Sequence, residues 1–313
     1  MDERSAASNQ KKGFALMAEA ARAPFLTASA LSALVALAWT WLRHPALLDW
    51  GCAAAALTGV LFLHLAGNTI NDYYDWDSSD ADNEHAGPFS GGSRHRVESA
   101  LSKKTFLWLT VLFLLVAGTA GAYLVLRGRI HVLTLGAIGA LGGILYSARP
   151  FELMSHGLGE LDILAMFGPL TTFGMGYAIE GRFGGEYLAV GLPVGILVTA
   201  IIWINEFPDV DADERAGKRN LVVRLGRRQA RWGLVALMAA YVTTLPILYL
   251  AGIFPLTVLL ALAASPLGGK AIVGLWRHYD EPEALVPYQG MIIKHQALAG
   301  LLMIVGLTVD KFL

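Results

Sequence analysis

The sequence is poor in cysteine and in charged residues, and each shortage excludes a class of protein. Cys52 is the single cysteine among 313 residues, so neither an intrachain disulfide nor a multi-cysteine metal site can form. Charged residues make up 16% of the chain, whereas a typical globular domain has about 25%. The 24 basic and 25 acidic residues nearly cancel, and they form no basic block or stripe. We therefore expect no nucleic-acid partner.

Apolar residues make up 55% of the chain, which is more than a water-facing surface allows. Nine apolar stretches each approach the roughly 20 residues that cross a hydrocarbon core as a helix. An unpaired backbone amide is costly in lipid, so a membrane span is either a helix or a strand of a closed barrel. These continuous apolar runs lack the alternating pattern of barrel strands. The sequence thus predicts an all-α, polytopic membrane protein in contact with the lipid bilayer. The nine predicted spans lie at about 24–43, 47–70, 105–126, 130–147, 161–180, 187–205, 231–250, 252–273 and 288–309.

The distribution of lysine and arginine predicts the orientation in the membrane. Most of these residues fall on one side if the N-terminus is inside, as the positive-inside tendency requires. We expect a multi-pass protein of the cell (inner) membrane with a cytoplasmic N-terminus. Residues 1–23 are predicted to be a cytoplasmic arm or an interfacial helix. Residues 24–313 are predicted to form a single transmembrane domain with two halves, about 24–156 and 157–313.

Polar side chains cluster at the cytoplasmic end of the second predicted span. On a helix, Asn68, Asn71, Asp72 and Asp75 occupy positions i, i+3, i+4 and i+7, so they share one face. One carboxylate at membrane depth costs about 2.5–3.5 kcal/mol on insertion scales, and such groups usually mark function. Several of them together require a counter-charge.

The sixth predicted span ends with a second cluster of the same kind. Asn205, Asp209 and Asp213 are spaced by four residues and stack on one face if the helix continues past Pro208. Oxygen donors without cysteine suit a hard cation such as Mg²⁺, which binds carboxylates and substrate phosphates. The alternative is that both clusters are solvated acidic loops. Two clusters at matching positions favour a metal-bridged diphosphate.

These residues resemble the motifs of the UbiA superfamily of intramembrane prenyltransferases. Asn71, Asp72 and Asp75 match its Asn-Asp-x-x-Asp motif, and Asp209 and Asp213 match its Asp-x-x-x-Asp motif. The whole stretch 209–226, DVDADERAGKRNLVVRLG, is similar to the second signature. The resemblance implies nine helices around a central cavity that opens to the cytoplasm.

Two further stretches resemble the menaquinone branch, the 1,4-dihydroxy-2-naphthoate prenyltransferases. The loop GPFSGG at 87–92 and the sequence GLGE at 157–160, after Tyr146, are similar to segments of that branch. The resemblance implies Mg²⁺-dependent transfer of a polyprenyl group from polyprenyl diphosphate to an aromatic acceptor. The product of a naphthoate acceptor would be a demethylmenaquinone, formed with loss of CO₂.

The resemblance also implies roles for individual residues. The implied metal ligands are Asn71, Asp72, Asp75, Asp80, Asp209 and Asp213. Ser79 occupies the position where the aromatic branch has a third acidic residue, so the choice among Asp77, Asp80 and Asp82 stays open. Tyr146 would position the acceptor or stabilise the developing cation. The implied substrate-binding residues are Asn68, Asn71, Ser90, Arg94, Asn205, Lys218 and Arg219.

Alternatives exist within and beyond this enzyme class. A related transferase could use a hydroxybenzoate, homogentisate or a glycerol phosphate lipid as its acceptor. A cation-coupled membrane transporter could also use Asp72, Asp75, Asp209 and Asp213. That alternative predicts carboxylates near helix centres, where ions cross the midplane.

Overall fold

The computed structural model describes residues 22–76, 87–89 and 101–313, and its regular elements there are all helical. The predicted all-α fold is therefore confirmed for this part of the chain. The α-helices are α1 (Thr27–Arg43), α2 (Trp50–Asp75), α3 (Lys103–Leu126), α4 (Val132–Leu145), α5 (Gly159–Ala165), α6 (Thr171–Glu180), α7 (Glu186–Arg215), α8 (Leu221–Leu225), α9 (Arg227–Leu250), α10 (Ser265–His278) and α11 (Pro282–Asp310). Short 3₁₀ segments lie at Ala23–Leu26, Pro45–Leu47, Leu153–His156 and Leu256–Ala264, and a π-helical segment lies at Met166–Leu170.

Six helical segments of the described chain are long and apolar enough to cross a membrane, which makes this a multi-pass membrane protein. They are Trp50–Asp75, Lys103–Leu126, Glu186–Arg215, Arg227–Leu250, Leu256–His278 and Pro282–Asp310. The predicted total of nine also needs α1, α4 and the interrupted α5–α6 segment. These are shorter or broken, so the total stays a prediction.

Helix α7 is the central rod of the bundle. Its apolar side chains Val194, Leu197 and Ile204 are nearly or fully buried, and it packs against α1, α9 and α11. It continues through Pro208 to Arg215. Because the helix is continuous past Pro208, Asn205, Asp209 and Asp213 stack on one face of it.

The fifth predicted span is not one regular helix, because a π-helical segment separates α5 from α6. Pro169 lies in this segment and lacks a backbone N–H donor. The Oγ1 of Thr171 instead donates to the carbonyl oxygen of Met166 at 2.6 Å. A Cβ on Gly168 would lie 2.7 Å from the carbonyl oxygen of Gly191, so the two helices meet at a close glycine contact.

A buried polar network joins α1, α6 and α7 at the end of α7 opposite Asp213. The carboxylate of Glu180 accepts hydrogen bonds from Tyr187 Oη at 2.5 Å and from Arg182 Nε at 2.9 Å. His44 Nδ1 lies 2.6 Å from the same carboxylate. Because each side chain contacts another helix or loop, the network links these helices at this end of the bundle.

The first turn of α2 is capped and also carries the chain's cysteine. Asp49 Oδ1 accepts a hydrogen bond from the backbone N–H of Cys52 at 3.0 Å, which satisfies one donor that the helix start leaves open. The Cys52 side chain is fully buried. Arg127, at the end of α3, donates to Asp49 Oδ2 at 2.6 Å.

Candidate functional site

The first polar cluster lies where α2 ends. The amide nitrogen of Asn71 donates to Asp75 Oδ2 at 3.1 Å and to Ser147 Oγ at 2.7 Å. These contacts join α2 to the segment that follows α4. They fix the Asn71 side chain so that its oxygen remains available as an acceptor.

That oxygen contacts Arg22, which precedes α1. The Arg22 guanidinium donates to Asn71 Oδ1 at 3.2 Å and forms an ion pair with Asp72. Asp72 is 2% exposed, so its charge is compensated in a buried setting rather than in solvent. The N-terminal end of the described chain is thereby tied to the first acidic motif.

The second polar cluster lies on the last three turns of α7. Asn205 and Asp213 are buried, and Asp209 is half-buried. Asn220 donates from its amide to Asp213 Oδ2 at 3.0 Å and accepts the backbone N–H of Val223 at 2.8 Å. Asn220 therefore caps α8 and orients Asp213 at the same time.

Lys218 connects the two clusters. Its ammonium lies 2.7 Å from Asp75 Oδ1, and the two side chains are 10% and 9% exposed. The backbone N–H of Lys218 donates to the carbonyl oxygen of Asp213 at 2.8 Å. The turn after α7 thus brings a buried cation from the second motif onto the first.

Both clusters line one cavity of about 380 Å³. Its polar end is formed by Asn68, Asn71, Asp75, Tyr146, Asn205, Asp209, Asp213 and Lys218. Mostly apolar side chains line the remaining length, including Val60, Leu135 and Met175, and His64 pairs there with Ser29 at 2.8 Å. Along α2 the lining runs from Ala56 to Asp75, a rise of about 28 Å at about 1.5 Å per residue. The cavity therefore offers a charged end and a long apolar interior.

Three further acidic side chains surround the inner part of the polar end. Asp162 and Glu206 line the cavity, and Glu206 lies close to Glu160. Glu160 in turn accepts the backbone N–H of Leu221 at 2.6 Å. The Tyr146 hydroxyl interacts electrostatically with both glutamates and with Asp75. This end of the cavity is therefore acidic, apart from Lys218 and Arg22.

Most of the sequence matches one known protein family. The model of the UbiA prenyltransferase family matches residues 29–293. The chain belongs to the UbiA prenyltransferase family. It is a prenyltransferase, as the named relatives of this family are.

Individual UbiA relatives agree with this assignment. The chain is similar to the 1,4-dihydroxy-2-naphthoate octaprenyltransferase of Escherichia coli, with 28% identity over 88% of this chain and 89% of that one. Its fold is similar to the apo UbiA homologue of Aeropyrum pernix, with a TM-score of 0.69, 17% identity, and coverage of 91% of this chain and 97% of that one. It is also similar to a UbiA homologue of Archaeoglobus fulgidus bound to GPP and Mg²⁺, with a TM-score of 0.59, 17% identity, and coverage of 92% and 99%.

The other residues singled out from the UbiA resemblance lie away from the cavity or outside the described chain. Arg219 is exposed and is not among the lining residues; its backbone N–H donates to the carbonyl oxygen of Ser155 at 3.2 Å. Asp72 contacts Arg22 beside the cavity instead of lining it. Asp80, Ser90 and Arg94 lie outside the described residues.

Several residues of this UbiA site carry no motif signal in the sequence. Arg22 lies 50 positions from Asp72, and Asn220 reads as an ordinary helix cap. Asp162 lies in the first turn of α5, where an acidic residue is typical, and Glu206 lies within α7 next to Asn205. The one signal for Ser147 is its position directly after Tyr146.

The donor set of this UbiA site fits a hard cation. In the described part of the chain, no three His, Cys, Asp or Glu side chains converge closely enough to form a ready-made metal site. The side chains at the polar end are nevertheless oxygen donors, and Asp75 and Asp72 already contact the cations of Lys218 and Arg22. Carboxylates that attract positive charge in this way, next to space for phosphate, suit Mg²⁺.

The positions of the carboxylates also bear on the transporter alternative. That alternative predicts acidic residues near helix centres. Asp75 is the last residue of α2, and Asp213 lies two residues before the end of α7. The observed positions at the helix ends favour a headgroup site over an ion path through the midplane.

Proposed function

We propose that this chain transfers a polyprenyl group from polyprenyl diphosphate to 1,4-dihydroxy-2-naphthoate. The observation that carries the proposal is the single cavity with both carboxylate clusters at one end and apolar side chains along the rest. A prenyl diphosphate has the same division into a charged head and an apolar tail. The acceptor follows from the similarity to the 1,4-dihydroxy-2-naphthoate octaprenyltransferase of Escherichia coli, and the Archaeoglobus fulgidus homologue binds GPP and Mg²⁺.

In this proposal the acidic motifs hold two Mg²⁺ ions. Asn71, Asp72 and Asp75, with Asp80, would hold one, and Asp209 and Asp213 the other. When bound, Mg²⁺ acts as a Lewis acid that neutralises charge on the diphosphate as it leaves. The contacts of Asn71 with Ser147 and of Asn220 with Asp213 support this proposal, because they hold Asn71 and Asp213 in fixed positions.

Cationic side chains supply the second part of the diphosphate site. Lys218 lines the cavity and is buried, so its charge is little screened by solvent. A preorganised cation of this kind stabilises the charge that develops on the leaving group. Arg94 and Arg219 remain proposed phosphate contacts from the flanking loops, and Ser90 belongs to a loop whose backbone amides would approach phosphate oxygens.

The apolar part of the cavity protects the reactive species. Ionisation of an allylic diphosphate gives a cation-like carbon that water would capture. The lining by side chains such as Val60, Leu135 and Met175 offers few polar groups to hold a water molecule. The ring of Tyr146, at the polar end, can stabilise positive charge through its face.

The proposed membrane arrangement uses all nine predicted spans. Helix α1, helix α4 and the interrupted α5–α6 segment would cross the bilayer beside the six longer segments. The N-terminus and the carboxylate ends of α2 and α7 would then face the cytoplasm of a cell with this protein in its inner membrane. Residues 24–313 would form one transmembrane domain.

A paired substitution on α7 tests the metal role. Asp209 lines the cavity, whereas Asp211 is exposed and forms an ion pair with Arg227. We expect Asp209→Asn to lower kcat by roughly 100-fold or more and Asp211→Asn to retain near-normal turnover. Purified protein in detergent, labelled prenyl diphosphate and Mg²⁺ provide the assay. Full turnover by Asp209→Asn would contradict the proposed site.

A panel of acceptors tests the substrate. We expect product with 1,4-dihydroxy-2-naphthoate and little product with a hydroxybenzoate, homogentisate or a glycerol phosphate lipid. Preferred use of any of these would replace the naphthoate assignment while leaving prenyl transfer intact. Cation flux into proteoliposomes without prenyl transfer would instead support the transporter.

A further inference from the structure

Two adjacent residues of α7 present buried oxygen atoms that the described chain leaves without a hydrogen-bond partner. They are Oδ1 of Asn205 and Oε2 of Glu206. Both residues line the cavity, and Asn205 is 8% exposed. Leaving a buried polar atom unpaired is costly, so two neighbouring ones in one cavity point to a ligand that pairs with them.

The surrounding charges determine which kind of group can approach. The amide oxygen of Asn205 only accepts hydrogen bonds, and the Glu206 carboxyl can accept one as well, so a ligand pairs with both oxygens by donating. Asp162 also lines this part of the cavity, and Glu160 lies close to Glu206. An anionic group would be repelled there, whereas a neutral hydroxyl group meets no such penalty.

The position along α7 separates these atoms from the diphosphate site. Asn205 precedes Asp209 by one helical turn, a rise of about 6 Å. A group bound to Asn205 and Glu206 therefore lies deeper in the cavity than a headgroup bound at Asp209 and Asp213. Glu160, close to Glu206, is itself fixed because it accepts the Leu221 backbone N–H at 2.6 Å.

We propose that Asn205 and Glu206 bind the C4 hydroxyl group of the aromatic acceptor and so determine that it must be a hydroxyarene. This inference rests on the proposed prenyl transfer to such an acceptor. The C4 hydroxyl lies para to the C1 hydroxyl and away from the carboxylate, so the acceptor's carboxylate is left to face the polar end of the cavity. The acceptor is thereby oriented with its C4 hydroxyl inward.

The test compares two acceptors in wild type and in variants of Glu206. The acceptors are 1,4-dihydroxy-2-naphthoate and 1-hydroxy-2-naphthoate, which lacks one hydroxyl. The ratio of their kcat/KM values is measured with purified, Mg²⁺-loaded protein. The intrinsic difference in ring reactivity cancels when the ratios of two protein variants are compared.

We expect Glu206→Met to reduce this ratio by roughly tenfold or more, because the partner of one hydroxyl is lost. Glu206→Gln keeps a carbonyl acceptor and should retain most of the preference. The KM for prenyl diphosphate should stay within about twofold of the wild-type value in both variants. Glu214→Met, on the exposed side of the same helix, is the matched control and should behave as wild type.

Three results would overturn the inference. An unchanged acceptor ratio in Glu206→Met would show that the unpaired oxygen binds water only. A raised KM for prenyl diphosphate with an unchanged ratio would place Glu206 at the headgroup. A wild-type protein that transfers no prenyl group to any aromatic acceptor would refute the proposed function itself, which the first two results leave standing.

Discussion

The buried ion pair between Lys218 and Asp75 allows a quantitative prediction. The two charges are 2.7 Å apart, and the side chains are 10% and 9% exposed. Removing one partner of a buried pair leaves an uncompensated charge and costs about 3–5 kcal/mol. We therefore expect Lys218→Met, which keeps the apolar stem, to destabilise the metal-free protein by about this amount.

Thermal unfolding in detergent with a chelator measures this loss. The eight tryptophans provide an intrinsic fluorescence signal. At about 2 °C per kcal/mol for a chain of this size, Lys218→Met should lower Tm by roughly 6–10 °C. Saturating Mg²⁺ should recover part of the difference, because a cation bound at Asp75 replaces the missing charge and stabilises the folded state. The exposed Lys104 gives the control, Lys104→Met.

Two outcomes would refute this reasoning. A Tm within about 1 °C of wild type would mean that the pair contributes nothing. A deficit that Mg²⁺ leaves unchanged would mean that Asp75 does not bind the ion. The double variant with Asp75→Asn should lose less stability than the sum of the two single variants, since both changes remove the same interaction.

Other predictions concern chain length, pH and metal. Gly174 lines the cavity, and a Cβ there meets open space, so Gly174→Leu should shorten the longest prenyl chain that the enzyme accepts. Gly118 is equally unhindered but does not line the cavity, so Gly118→Leu should leave the product length, measured by chromatography, unchanged. The Cys52 backbone N–H and Arg127 hold the pKa of Asp49 below its usual value. Asp49→Ala should therefore cost about 1 kcal/mol at pH 7, with the difference from wild type vanishing as pH falls below about 4 and the native carboxylate becomes protonated. Chelation of Mg²⁺ should abolish turnover, and Mg²⁺ should restore it, in the prenyl-transfer assay.

Long apolar runs made the fold predictable from the sequence. The second predicted span, about 47–70, corresponds to helix Trp50–Asp75, which continues further because its polar end packs in the bundle. The sixth predicted span likewise extends past Pro208 to Arg215. Hydropathy finds where a helix is apolar, and it misses the turns at which polar groups stabilise a helix end.

The interruption within the fifth predicted span had no hydropathy signal. Pro169 was visible in the sequence, but a proline in a helix can produce a kink, an end or a π segment. The outcome here depends on Gly168 meeting Gly191, a contact between residues on different helices. Such a contact exists only after the bundle has formed.

The candidate site was predictable to the extent that local spacing defines it. Spacings of three and four residues grouped Asn68, Asn71 and Asp75 on one face, and the structure places all three along the cavity. The contacts of Arg22 with Asp72 and of Lys218 with Asp75 join residues far apart in the chain. No local pattern encodes which cation reaches which carboxylate.

The seclusion of Cys52 has a practical consequence for studies of this enzyme. Its thiol is the only one in the sequence and is fully buried beneath the first turn of α2. The native chain can therefore receive a single engineered thiol at any surface position, and a bulky maleimide dye will react there with little background. Fluorescent or spin labels can report loop positions and membrane sidedness without first altering the native packing.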